Sequence, residues 1–121
     1  MADSDLRLVS GTTFGFSNVW EQQNEAGEWE PVIITGCTAR FVMRDERTGE
    51  ILVKASTGDG ITIPDGNTGE VVVSLPPAKT AGLKSAQIGD VSYELRIEFP
   101  SGDVYSLVMG FVAIIEGIFD D

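Results

Sequence analysis

Val91-Ser92-Tyr93-Glu94-Leu95-Arg96-Ile97-Glu98-Phe99 alternates apolar with polar residues at every step, and Pro100-Ser101-Gly102-Asp103 follows it. A second run, Val104 to Ile115, then completes one long β-hairpin. A period of two places Val91, Tyr93, Leu95, Ile97 and Phe99 on a dry face and Ser92, Glu94, Arg96 and Glu98 on a wet one. The second arm starts mixed and turns apolar on both faces at Phe111-Val112-Ala113-Ile114-Ile115. That stretch needs cover on both sides, either from a partner sheet or from another subunit.

Outward from this hairpin, strand runs and turn signals recur about every 8–12 residues, the spacing of a β-sandwich or barrel. Leu6–Val9 and Thr12–Trp20 come first, then a turn at Asn24-Glu25-Ala26-Gly27. Trp29–Ile34 is short and holds Pro31, which lacks a ladder donor, so it reads as an edge strand or extended loop. Thr38–Arg44 sends Ala39, Phe41 and Met43 one way and Thr38, Arg40, Val42 and Arg44 the other. After the 45–49 turn, Ile51, Val53 and Ala55 are expected inward beside outward Lys54 and Ser56. Ile61–Ile63 and then Val71, Val73 and Leu75 follow, separated by the Pro64-Asp65-Gly66-Asn67 turn. Pro77 near its start and Gly82 after it allow about one or two helical turns between 76 and 85, the one helix the sequence predicts. The whole reads as one all-β domain over 1–121, with a core of about 6–115 and short acidic tails at both ends.

The bulk numbers narrow the function. Nineteen acidic against eight basic residues give a net charge of −11, which repels nucleic acid. No apolar segment approaches the roughly 18 residues of a membrane span. The acidic, polar start Met1-Ala2-Asp3-Ser4-Asp5 does not read as a secretory signal, so synthesis in the cytosol is expected. The chain holds one cysteine and no histidine. Cys37 therefore has no disulfide partner within the chain, and it reads as a small strand hydrophobe.

Catalytic patterns do not emerge. There is no G-x-S-x-G elbow and no phosphate-binding G-x-x-x-x-G-K-[ST], and a single Cys cannot build a zinc site. Asp59, Asp65 and Asn67 could offer oxygens to calcium, but their spacing is not that of an EF-hand and tight turns demand the same residues. Glu94 and Glu98 lie about 13 Å apart on a strand face, too far for a glycosidase pair, with Arg96 between them. No catalytic residue, metal or cofactor is expected.

The order of segments carries more. Gly11-Thr12-Thr13-Phe14 leads to the run from Ile34 to Arg44, then Gly49-Glu50-Ile51-Leu52, Asp59-Gly60-Ile61-Thr62-Ile63 and Thr68 to Leu75. Pro77 to Leu83 and the closing Tyr93 to Val112 complete it. This order resembles a group of small tailed-phage and prophage virion proteins with an immunoglobulin-like sandwich. More distantly it is similar to the N-terminal domain of the phage baseplate upper protein family. The resemblance spans roughly residues 6–115. It implies an immunoglobulin-like β-sandwich of seven or eight mostly antiparallel strands with one short helical turn. It also implies a structural protein of the virion, assembled in the host cytoplasm, that docks tail, baseplate or fibre proteins in several copies. The apolar ending after Gly110 and Cys37 depart from its pattern.

The expected contact residues are Trp20, Trp29, Phe111, Val112, Ile114 and Ile115. Other readings stay open: a capsid decoration protein, an acidic inhibitor of a host nucleic-acid enzyme, and a sugar-binding module using Trp20 or Trp29. The inhibitor would need an unbroken acidic stripe. Arg96 between Glu94 and Glu98, with Arg40 and Arg44 on one strand, instead predicts mixed signs.

Overall fold

The structure, a computed structural model, describes residues 6–84 and 90–116. The closing hairpin is its spine. β9 (Val91–Glu98) and β10 (Val104–Ile115) pair antiparallel through a turn closed by Phe99 N–H to Asp103 O and Gly102 N–H to Phe99 O. On its other side β9 pairs antiparallel with β5 (Thr38–Asp45), which pairs with β6 (Ile51–Thr57). β1 (Leu6–Val9) lies parallel to the end of β10, Leu6 opposite Val112 and Val9 opposite Ile115. The opposing layer holds β2 (Phe14–Val19), β8 (Glu70–Leu75) and β7 (Gly60–Thr62).

The layers are joined where β6 passes into β7. The Gly58-Asp59 link returns the chain to its former direction, so the two strands run parallel, Ser56 beside Gly60. Gly60 has φ +94, and a Cβ there would sit 3.0 Å from that of Ala55 and 3.2 Å from Leu75, so the crossing needs glycine. The hydrogen-bonded order is thus β1-β10-β9-β5-β6-β7-β8-β2 in one folded-over sheet. A β10-β9-β5-β6 layer flanked by a parallel first strand, facing a β2-β8-β7 layer, is an immunoglobulin-like β-sandwich.

Between the layers lies one core, including Leu8, Ile34, Phe41, Met43, Ile61, Val71, Val73, Leu75, Leu95 and Ile97. With no disulfide between layers, aromatic rings bridge them. Phe16 of β2 meets Phe41 of β5 edge-on at 5.4 Å and Tyr93 of β9 at 6.4 Å, and Phe41 and Tyr93 lie 6.1 Å apart. A second trio ties one end: Trp20 to Phe99 at 6.0 Å, Trp20 to Tyr105 at 5.4 Å, and Phe99 to Tyr105 at 5.7 Å.

The predicted helix is a single turn, α1 (Pro77–Thr80). Buried Thr80 fastens it, donating Oγ1–H to Thr12 O at 2.7 Å while its carbonyl accepts from Gly11 N–H. A second short helical turn, 3-10 in type, covers Gly66–Thr68, capped by Asp65 accepting from Asn67 N–H at 2.9 Å.

Two sequence expectations need correction. Ile51 was expected inward, yet it is 43% exposed. A bulge between Met43 and Arg44 shifts the register, so Ile51 pairs with outward Arg44 while Val53 and Ala55 stay buried. Asp45, read as part of a turn, ends β5 and is buried, its Oδ1 accepting from Arg47 N–H. The polar segment Glu21–Gln23 also forms a strand, β3, pairing with β4 (Trp29–Pro31) as a separate hairpin.

Candidate functional site

The outer face of the β10-β9-β5-β6 layer is a grid fixed by register. One row runs Ser106, Arg96, Arg40 and Ser56; the next runs Met109, Glu94, Val42 and Lys54; the third runs Phe111, Ser92, Arg44 and Ile51. Met109 is 54% exposed and Phe111 52%, and with Val42 and Ile51 they line a shallow groove of about 360 Å³ floored by Tyr93 and Gly110. Large apolar side chains grouped in a concavity differ from scattered exposed ones and mark interaction sites.

Ion pairs rim this groove. Arg44 Nε donates to Glu46 Oε2 at 2.7 Å, and Arg96 Nε to Glu94 Oε2 at 2.8 Å. The Arg44 guanidinium holds the Glu46 carboxyl below its ordinary value, and the Arg96 guanidinium does the same to Glu94. Arg40 and Arg96 stand directly opposite each other across two strands, a like-charge juxtaposition unfavourable to the sheet.

The second exposed feature is the loop end. The segments 18–38, 62–72 and 97–105 contain Glu21, Glu25, Glu28, Glu30, Asp65, Glu70, Glu98 and Asp103, with no Lys or Arg. Backbone bonds hold them together: Trp20 N–H to Gly69 O, Val32 N–H to Trp20 O and Ile34 N–H to Gly66 O. The Trp20–Phe99–Tyr105 rings add the β9–β10 turn. At this end Trp29 is 65% exposed, and with Val19, Asn18, Glu21, Trp20 and Leu107 it lines a depression of about 380 Å³. Signs therefore alternate on the sheet face, as Arg40, Arg44 and Arg96 suggest, but not at the loop end.

The six expected contact residues separate into two groups and several depths. Trp29 and Phe111 are exposed, and Trp20 is half-buried on Phe99 and Tyr105. Val112 is buried against the core, Ile114 packs partly on it, and Ile115 is half-buried beside Val9. The two-sided apolarity of β10 thus resolves by parity: Val112 and Ile114 face the core while Phe111 faces out. Met109, Val42 and Ile51 complete the groove and were not among the expected contacts. Met109 could have been found, lying two residues before Phe111 on the same strand face. Ile51 could not, because the bulge places it there.

Two of the three calcium candidates are otherwise engaged. Asp65 caps its turn and Asp59 pairs with Lys79 at 3.2 Å. Among the described residues no three His, Cys, Asp or Glu side chains gather as a metal site would require. Cys37 is buried just before β5, and burial pushes its thiol pKa up, away from the reactive thiolate.

No protein-family model matches the chain, and no curated protein matches it. A solved structure of murine CRIg aligns over 93% of this chain and 92% of its own, at 7% identity and a TM-score of 0.41. At that level the likeness adds nothing to the fold already given by the strand order.

Proposed function

We propose that this chain is a structural protein of a phage virion that works by docking: an adaptor joining tail, baseplate or fibre proteins. The observation that carries the docking reading is the exposed groove of Met109, Phe111, Val42 and Ile51, rimmed by Arg–Glu pairs. An apolar centre with a charged rim is the anatomy of a protein–protein contact. The assignment to a virion draws on the resemblance in segment order, from Gly11-Thr12-Thr13-Phe14 to Tyr93–Val112. The groove lies on paired β-strands, so the contact surface is rigid before binding, which lowers the ordering entropy of association.

A photoreactive residue at Met109, activated in assembled particles and read by mass spectrometry, tests this. Cross-links to tail, baseplate or fibre proteins are expected. Cross-links confined to shell proteins would make it a capsid decoration protein, and absence of the chain from purified particles would overturn the virion reading. A second reading, an acidic inhibitor of a host nucleic-acid enzyme, draws on the eight unrelieved carboxylates of the loop end. It predicts capture of such an enzyme that competes with DNA.

A further inference from the structure

The loop end and the sheet face are each incomplete, and they are complementary. The end offers an exposed tryptophan, Trp29, beside Val19, with Glu28 and Glu30 flanking it and no cation in the segments that build it. The face offers an apolar groove beside four cations, Arg40, Arg44, Lys54 and Arg96. Two carboxylates, Glu46 and Glu94, bond to the rim arginines. Arg40 has no ion pair among the described residues and stands opposite Arg96, beside a further hollow lined by Arg40, Val42, Glu94 and Arg96.

We propose that the acidic loop end of one copy docks on the arginine-rimmed sheet face of the next, so that the chain assembles head to tail. This rests on the docking reading above and names the partner as a second copy. Charge decides the pairing. End against end would set eight carboxylates against eight, and like charges brought together at an interface are strongly disfavoured; face against face would offer Arg40 only Glu46 and Glu94, which Arg44 and Arg96 already hold. End against face relieves both, placing carboxylates on the opposed guanidiniums and the Trp29 indole in an apolar groove where Arg44 can lie over its ring. The two surfaces are different patches of one molecule, so the contact is heterologous and repeats into a ring or an open filament rather than closing at two.

Sedimentation velocity from micromolar to millimolar protein tests this, at low and at high salt. The wild-type chain is expected to form species larger than a dimer at low salt and to lose them as salt screens the contact. Trp29→Asp spoils only the end and Arg40→Glu only the face. Both residues are exposed, so each variant is expected to fold, which a circular dichroism spectrum matching the wild type checks. Each alone is expected to be monomeric. Their equimolar mixture is expected to give a dimer and nothing longer, because one variant keeps an intact face and the other an intact end. A wild-type monomer throughout, a closed dimer that survives Trp29→Asp, or a mixture that stays monomeric overturns the proposal. A wild-type monomer that still cross-links to tail proteins from Met109 overturns head-to-tail assembly and leaves the docking reading standing.

Discussion

Replacing Phe41 tests whether aromatic packing stands in for a covalent link between the layers. Phe41 is fully buried and touches rings from both sides, Phe16 at 5.4 Å and Tyr93 at 6.1 Å. Truncation to alanine leaves a ring-sized cavity and is expected to cost about 3–5 kcal/mol. Against a total of about 5–15 kcal/mol for an ordinary domain, that is a large share of the stability. In a chain of 121 residues it lowers Tm by about 4 °C per kcal/mol, or roughly 12–20 °C. Phe41→Leu keeps much of the volume and removes the two ring contacts, each contributing about 0.5–1.5 kcal/mol beyond area, for a loss of about 1–3 kcal/mol. Urea unfolding of the wild type, Phe16→Leu, Phe41→Leu and the double variant then gives the coupling, expected at about 0.5–1.5 kcal/mol with an unchanged m-value. A Phe41→Ala loss below about 1 kcal/mol, which is ordinary for any position, or a coupling of zero would refute the bridging role.

Thr80→Val keeps the shape of a buried side chain but leaves the Thr12 carbonyl without its hydroxyl donor; a loss of about 1–3 kcal/mol in urea unfolding is expected. Cys37 should resist Ellman's reagent in native buffer and react fully in denaturant, and a fast native reaction would contradict its burial and raised pKa. The Glu94 carboxyl lies below its ordinary value of 4.5 in the folded chain, so its contribution is present above that pH and is lost as pH falls through the lowered value. Thermal melts from pH 6 to pH 3 should therefore fall more steeply for the wild type than for Glu94→Gln, and parallel curves would count against the Arg96 contact.

Much of the fold follows from local pattern. The alternation from Val91 to Phe99 sets a half-buried strand, and Pro77 with Gly82 bounds α1, because periodicity and backbone chemistry act over a few residues. The failures mark where distant pairing takes over. Glu21–Gln23 carries no apolar signal and becomes a strand only because the Asn24 turn folds it onto Trp29–Pro31. Ile51 alternates correctly with Val53 by its own sequence, and a bulge between Met43 and Arg44, set by the pairing of β5 with β6, turns it outward. The site was half legible for the same reason. Phe111 and Trp29 announce themselves as large apolar residues, whereas the acidic end is gathered from three separate segments and the opposed Arg40 and Arg96 are 56 positions apart. No window along the chain contains either.

The irregularity in β10 between Ser106 and Val108 has a bearing on fibre formation. Among the described residues β1 covers only Val112–Ile115 of that strand, so Val104–Phe111 has no ladder neighbour on its outer side. An exposed edge of eight residues would be a template for amyloid-like strand addition. The bulge at Leu107 breaks its hydrogen-bonding phase near the middle, so an incoming strand cannot stay in register along the whole of it. Deleting Leu107 would straighten that edge, and thioflavin-positive aggregation on warming is the outcome such a deletion should bring.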